Sequence, residues 1–318
     1  MGRINPQKAY LRDLGYYNAP MSDNTTNTVA TSDRSRRFLF EQADIRGETI
    51  HLDKALTEAL SLHRYPAAVS CLLGEFIAAS GLLASNLKFQ GKLSLQVRGD
   101  GQIPLLMAEC TSNMQVRAIA RDGHTATSEE FAELLGNGQL AITVDPVEGK
   151  RYQGIVPLAE DSLANSLQSY FTQSEQLQTR IWLACDGKCA AGMLLQQLPP
   201  TVSHDAQTRQ QQWQHCCTLA ATIGREELLD LPAESLLHRL FHQDSVRIFA
   251  PKQVEFACSC SRERTMKALT TLEPQELQEI LTEQGAITMD CEFCNRQYVY
   301  QDTDLGHLLH ENNLPTLH

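Results

Sequence analysis

Four cysteines near the C-terminal end of this 318-residue chain have spacings suited to metal or redox chemistry. Cys258 and Cys260 stand one residue apart in C-S-C, Cys291 and Cys294 two apart in C-E-F-C, and 30 residues separate the pairs. Thiols in close pairs fit a metal site, a dithiol–disulfide couple, or structural disulfides. The first twenty residues, MGRINPQKAYLRDLGYYNAP, contain no apolar stretch of the secretory kind. The thiols are therefore expected to be kept reduced, which favours metal or redox chemistry over constitutive disulfides. Four soft thiolates with no histidine between the pairs predict a closed, structural four-cysteine zinc site. The C-x-C first pair and the long gap depart from the common zinc ribbon. Four thiolates around Zn2+ carry a formal charge of −2. Arg262, Arg264 and Lys267 follow the first pair and can neutralise it, and such cations also lower thiol pKa values.

The segment from 236 to 302 is small, and a domain of about 65 residues buries little core and often needs a staple. Structural zinc in such domains is linked to folding by roughly 10–16 kcal/mol. Oxidation would remove the ligands, because a disulfide sulfur is no longer a thiolate. The short spacings permit bonds within each pair, which close loops too small to restore the fold. Chemistry alone thus predicts a switch, with a folded reduced form and an unfolded oxidised form.

The elements that must position this site are legible upstream. Residues 1–35 are polar and rich in Ser, Thr and Asn, and read as a flexible arm. Order is expected from about Phe38. Leu52, Ala55, Leu56, Ala59 and Leu60 recur at helical spacing, as do Leu72, Leu73, Phe76, Ile77, Leu83 and Leu87. The stretch 67–87 is long and apolar, but Glu75 lies in its middle, so a buried core helix is expected rather than a membrane span. The period then becomes two. Leu93, Leu95 and Val97 alternate with polar residues before the turn Gly99-Asp100-Gly101, and Leu140, Ile142 and Val144 precede a second turn over 145–150. Both read as hairpins. A helix capped by Asp161 or Ser162 runs to about Ser174, and TRIWLAC and AAGMLLQQL give two more strands around D-G-K. The predicted fold class is α+β: a mixed helix and sheet core over 36–200, a helical linker over 201–235, the small zinc-binding domain over 236–302 and a tail over 303–318. Trp213, Cys216, Cys217, Ala220 and Ile223 form a helical stripe in the linker that must dock on something.

These residues resemble a known family. VEFACSCSRERT and MDCEFCNRQYVY, with LKFQGKLSLQVRGDG, RYQGIVPL, SYFTQSEQLQTRIWLA and AAGMLLQQLP upstream, look like segments of the 33 kDa chaperonin family over about residues 36–302. The resemblance implies a cytoplasmic, ATP-independent holdase that protects unfolding proteins from aggregation under oxidative stress. Reduced, it would be inactive and hold one zinc through Cys258, Cys260, Cys291 and Cys294. Oxidised, it would carry the disulfides Cys258–Cys260 and Cys291–Cys294, release zinc, lose structure in the linker and C-terminal region, dimerise and hold unfolded clients. The linker face with Trp213, Leu219 and Ile223 is the expected client surface.

The N-terminal arm and six further cysteines depart from the family pattern. Cys71 and Cys110 read as buried small hydrophobes. Cys185 and Cys189 flank the D-G-K turn and are candidates to pair or to share a second site. Cys216 and Cys217 lie where they can tune the linker, and His307, His310 and His318 read as solvated tail residues. The alternative function is a thiol–disulfide oxidoreductase using Cys291 and Cys294, but such motifs open a helix after a strand, and here a C-x-C pair competes for the same role. No Gly-rich phosphate loop or H-E-x-x-H is present, so no enzyme is expected. Net charge is −11, and 226–318 holds 16 acidic against 7 basic residues. That balance disfavours a nucleic-acid partner.

Overall fold

The computed structural model describes residues 33–85, 88 and 90–310. The arm expected over 1–35 lies almost wholly outside the described residues, as do Leu87, His318 and the end of the expected tail.

The chain enters through β1 (Arg34–Phe40) and β2 (Ile45–Leu52), earlier than the expected start near Phe38. Phe38 faces Gly47 across this pair, and its ring occupies the space that a side chain at 47 would fill. Two helices follow, α1 (Lys54–Ser61) and α2 (Ala67–Ala84). Asp53 gives α1 no side-chain cap. Asp33 does so from twenty residues away, its carboxylate accepting from the backbone N–H of Asp53, Lys54 and Ala55 at 3.0, 3.1 and 2.9 Å.

Then come β3 (Gly91–Arg98), β4 (Leu105–Thr111), β5 (Gln115–Arg121), α3 (Phe131–Leu135), β6 (Gln139–Pro146), β7 (Tyr152–Pro157), α4 (Leu163–Gln173), β8 (Thr179–Cys185) and β9 (Ala190–Gln197). Both predicted hairpins form. Ser162 caps α4, its hydroxyl accepting from the Asn165 N–H. Next are α5 (Ala206–Ala220), α6 (Arg225–Asp230), α7 (Ala233–Phe241), β10 (Val246–Ile248), β11 (Lys252–Gln253) and β12 (Glu255–Phe256). The chain closes with α8 (Arg262–Leu269), α9 (Pro274–Gln284), β13 (Ile287–Asp290), β14 (Gln297–Tyr300) and α10 (Asp302–His310), a helix where a tail was expected.

Two sheets carry the architecture. One runs β10-β1-β2-β9-β8, with β11 also on β1; the other runs β12-β5-β4-β3-β6-β7. Helix α2 lies between them, touching β2, β8 and β9 of one and β3, β4 and β5 of the other. This explains its uniform apolarity. A helix buried on all sides has no polar face, and by length and composition it also passes for a membrane span. Glu75 is half-buried there, and that burial pushes its carboxyl up.

The other face of the first sheet is covered by α5, α6 and α7. Trp213, Cys216 and Ala220 from α5 and Leu236, Leu237, Leu240 and Phe241 from α7 pack on Phe38, Phe40, Met193 and Leu195. The stripe predicted to need a dock therefore has one. Its entry is fixed by Asp44, in the β1–β2 turn. That buried carboxylate accepts from the Thr201, Val202 and Ser203 N–H groups, from the Thr201 hydroxyl and from Arg209.

Burial opposes ionisation of Asp44, but the hydrogen bonds from Thr201, Val202 and Ser203 outweigh it, so its carboxyl lies below the usual range. A depressed folded-state value adds stability above the ordinary carboxylate pKa, and that stability is lost as pH falls through the folded value. Asp44→Ala also strands Arg209, whose side chain is 14% exposed. It is expected to cost about 3 kcal/mol at pH 7, with the gap to wild type narrowing below about pH 4. Urea unfolding at both pH values checks this; a pH-independent gap would assign the loss to packing alone.

Candidate metal centre

Each cysteine pair is placed by its own local structure. Strand β12 pairs in parallel with β5, Glu255 with Gln115 and Phe256 with Val116, and the Ala257 N–H donates to the Val116 carbonyl at 3.1 Å. The next residue along the chain is Cys258. Ser261 then caps α8, its hydroxyl accepting from the Arg264 N–H, so C-S-C occupies the bridge between strand and helix. The second pair occupies the turn of the β13–β14 hairpin. The Cys291 N–H donates to the Arg296 carbonyl at 2.9 Å, and the Cys294 and Asn295 N–H groups donate back to the Cys291 carbonyl at 3.2 and 2.8 Å. Asn295 takes the left-handed conformation, φ 55°, that such a tight turn needs and that asparagine tolerates.

These two devices bring together all four predicted residues. Their Sγ atoms lie within 4.8 Å of one another, with Cys258–Cys291 at 3.6 Å and Cys260–Cys294 at 3.4 Å. A tetrahedral ion at roughly 2.3 Å from each sulfur requires sulfur–sulfur edges of about 3.8 Å. Both of these short approaches join one pair to the other. An all-sulfur set of this size, with no carboxylate or histidine in it, fits a soft, closed metal site, and these four residues can hold a metal ion.

Several hydrogen-bond donors face the sulfurs. Backbone N–H groups of Phe293 and Cys294 donate to Cys291 and that of Arg296 to Cys294. The Tyr298 hydroxyl donates to Cys260 at 3.1 Å. Burial opposes ionisation of Cys260, but hydrogen bonds from Tyr298 and the other thiols outweigh it and bring it down to about 7. Burial raises Cys291 and Cys294. Thiols that share a site lose their protons stepwise as a set, and binding a cation draws off the last of them.

The arginines after the first pair serve other ends than expected. Arg262 donates to the Val299 carbonyl at 2.8 Å, pairs with Asp304 and lies over the Tyr300 ring, and Arg264 binds Ser259. The core sheet sets a cation against the thiols, Arg117 of β5, and Arg296 faces Cys260 and Cys294 from the hairpin itself. The Nη1 of Arg117 lies 3.6 Å from Cys258 Sγ, its guanidinium stacks 4.0 Å from the Phe293 ring centroid, and it is paired at 2.5 Å with the buried Glu109, which also binds Lys92. Four residues on, along the same face of β5, Arg121 grips Glu292 at 2.7 and 2.9 Å. Asn295 donates to the Leu62 carbonyl. The sequence reading missed these residues. The signal was an Arg-x-x-x-Arg on a period-two strand, which puts both on one face. Glu292 and Phe293, between the ligands, thus bind the core, while the cysteines on either side of them meet the first pair.

Behind the site lies a small separate core: Leu269, Leu277, Leu281, Ile287, Tyr300 and Leu305. The remaining cysteines do not join the centre. Cys185 belongs to the core cluster around α2, whereas Cys189 packs on the opposite side of the sheet with His51, 3.1 Å away, so these two candidates are neither paired nor in a common site. Cys110 is buried, as expected. Cys71 is only half-buried, a departure from the reading of a buried small hydrophobe.

The chain is similar to known proteins over most of its length. A family model described as Hsp33 protein matches residues 33–301. The chain is 49% identical over 283 residues to the 33 kDa chaperonin of Pseudomonas paraeruginosa, covering 88% of this chain and 95% of that one. It is likewise 49% identical over 280 residues to the 33 kDa chaperonin of Azotobacter vinelandii, covering 87% and 94%. The crystal structure of the 33 kDa chaperonin (heat shock protein 33 homolog) of Thermotoga maritima has the same fold, with a TM-score of 0.74 over 87% of this chain and 98% of that chain at 22% identity.

Arg117→Met keeps an apolar stem on Phe293 and removes the cation beside Cys258. Outer-shell partners of metal sites are worth roughly 10–100-fold in affinity. The variant is expected to bind one equivalent of Zn2+ about 10-fold more weakly than wild type in competition with a chromophoric chelator. Unchanged affinity would show that Arg117 only packs there.

Proposed function

The chain belongs to the Hsp33 family and is a chaperone, and from that premise we propose that it is a redox-regulated, ATP-independent holdase acting in the cytoplasm. The observation that carries the redox reading is the convergence of four thiols, from two sequence-distant pairs, into one sulfur cluster. Reduced, Cys258, Cys260, Cys291 and Cys294 hold one zinc, and the protein rests inactive. Bound Zn2+ would supply a structural crosslink between the C-S-C bridge and the C-E-F-C hairpin, without catalysis.

Peroxide or hypochlorous acid then oxidises the pairs to Cys258–Cys260 and Cys291–Cys294. Each pair of thiolates loses two electrons to the oxidant as its S–S bond forms, and the oxidant's oxygen takes protons from solvent and leaves as water. The sulfurs cease to be thiolate ligands, and the metal leaves. Within-pair bonds tie each cysteine to its sequence neighbour and no longer join the bridge to the hairpin. The C-terminal core of six buried residues loses its crosslink and unfolds.

The linker, 201–235, is the next element to go. Its α5 hides Trp213, Cys216 and Ala220 against Phe38, Phe40, Met193 and Leu195. Undocking would expose two apolar faces at once, that of α5 with Leu219 and the following Ile223, and that of the sheet. A surface of this kind holds unfolded clients and pairs with a second copy of the oxidised chain. The C-x-x-C pair lies in a hairpin turn and not at a helix N-terminus, so the geometry gives the oxidoreductase alternative no support.

Zinc release and suppression of client aggregation are expected to rise together when the zinc-loaded protein meets hydrogen peroxide at raised temperature, and to reverse with reductant. Chelator absorbance and light scattering on one sample measure both. A reduced, zinc-bound form that holds clients as well as the oxidised form does would overturn the proposal.

A further inference from the structure

Six cysteines lie outside the four-thiol centre, and burial disarms most of them. It pushes Cys110, Cys189 and Cys216 up to about 12 and Cys217 to about 11. One pair is different. Cys185, at the end of β8, packs into α2 against Gly74, where a side chain would meet its sulfur at 2.5 Å. Cys71 lies three residues, nearly one turn, before Gly74 on the same helix and packs into the same core cluster as Cys185, so the two thiols are neighbours on one face of α2. Cys185 is fully buried, while Cys71 stands half-buried in front of it. The Gly187 N–H donates to the Cys185 sulfur at 3.3 Å, and Arg225, from the first turn of α6, reaches the Cys185 carbonyl.

We propose that Cys71 and Cys185 form a second redox site, a thiol pair inside the core that a peroxide-class oxidant converts into a disulfide joining α2 to β8. The two sulfurs have the roles such a reaction needs: an accessible one that meets oxidant and a buried one that resolves the product. The Cys71 thiolate attacks one peroxide oxygen and becomes a sulfenic acid, with release of water. The Cys185 sulfur then attacks the Cys71 sulfur, the S–S bond forms, and a second water leaves. The two thiols lose two electrons and two protons, and hydrogen peroxide gains them.

The electrostatics agree. The neighbouring Cys185 thiol is the largest influence on Cys71; with help from the Arg225 guanidinium, and against burial, Glu75 and Asp186, it brings the thiol down to about 7. Cys185 is pushed upward by the neighbouring Cys71 thiol and by burial, so it stays protonated until it resolves the sulfenic acid. The resulting bond closes a long loop of core chain, the arrangement in which a disulfide most restricts the unfolded state. The oxidant proposed to loosen the C-terminal region would therefore tighten the core to which it was docked. The pair shares no residue with the four-thiol centre and does not depend on the switch proposed there.

The test uses the full-length, zinc-loaded protein. After hydrogen peroxide, free thiols are alkylated, the chain is digested without reductant, and peptides are mapped by mass spectrometry. The expected result is a linked peptide pair containing Cys71 and Cys185, lighter by two hydrogens than its parts, together with slower hydrogen exchange in α2. Cys71→Ser, at a half-buried position, should abolish the link and the slowing while leaving Cys185 alkylatable once the chain is unfolded. Recovery of Cys71 as a sulfinic acid without a link, or of both residues as free thiols, would overturn the proposal. The link is scored whether or not zinc is released, so its failure is distinct from failure of the C-terminal switch.

Discussion

The thiol centre depends on two residues of parallel pairing. Glu255 and Phe256 lie against Gln115 and Val116, and nothing longer joins β12 to the core sheet. A pairing this short is weak alone. It holds because Val254, just before it, is buried in the main core and donates its N–H to the Asp33 carbonyl at 2.7 Å, and because Gln115 binds the Glu255 carboxylate. The register has a direct chemical result. Arg117 follows Val116 on one strand, and Ala257 and Cys258 follow Phe256 on the other. The register sets Arg117 level with Ala257, and the chain leaves the strand there, so the Cys258 thiol turns back onto the guanidinium.

The first sheet then sorts the rest of the molecule by its two faces. On one side α2 is locked between both sheets, and Cys71, Cys110 and Cys185 belong to that core. On the other side α5, α6 and α7 form a single covering layer, and Cys189, Cys216 and Cys217 belong to it. The covering layer is anchored at its entry by Asp44 with Arg209, and farther along by Arg225 on the Cys185 carbonyl, His51 on the Leu229 carbonyl and the Arg36–Glu234 pair, beside its apolar contacts. A layer held mainly from one side can leave without opening the helix behind the sheet.

Elements whose pattern is local were legible in the sequence. The β3–β4 and β6–β7 hairpins, α4 with its Ser162 cap, and the β8–β9 pair follow from period, turn and cap residues close together in the chain. The four thiols were legible for the same reason, since ligand spacing is local. What could not be read involves partners far apart. Strand β1 carries Arg34, Arg36 and Arg37, and its strand character comes from β2, β10 and β11. Strand β5 hides its inward face behind Ala118 and Ala120, small enough for α2 to pack closely, so its alternation is faint. Strands β10, β11 and β12 are two or three residues long and exist only through pairing across the fold. Arg117 meets Cys258 over 141 residues of sequence. Cys185 and Cys189, neighbours in the chain, part company because Cys185 pairs in register with Ala190 and Cys189 falls in the turn.

The same contrast bears on how the two parts of the molecule separate. The C-terminal core of six buried residues cannot by itself offset the entropy of ordering α8 through α10, so much of its stability must enter through the thiol centre. A buried cation left alone when the C-terminal region departs would penalise that step by several kcal/mol. Arg117 is not left alone. Glu109 holds it from within the core sheet, with Lys92 on the other carboxylate oxygen, and neither contact involves the C-terminal region. What departure would cost at this junction is the Cys258 contact, the stacking of Phe293, the Asn295 hydrogen bond to the Leu62 carbonyl and an exposed Arg121–Glu292 pair, which is worth at most about 1 kcal/mol. The core keeps its own charge balance in either state. The interface is therefore specific when the thiols are gathered and inexpensive to break when they are not, the combination that a conditional contact requires.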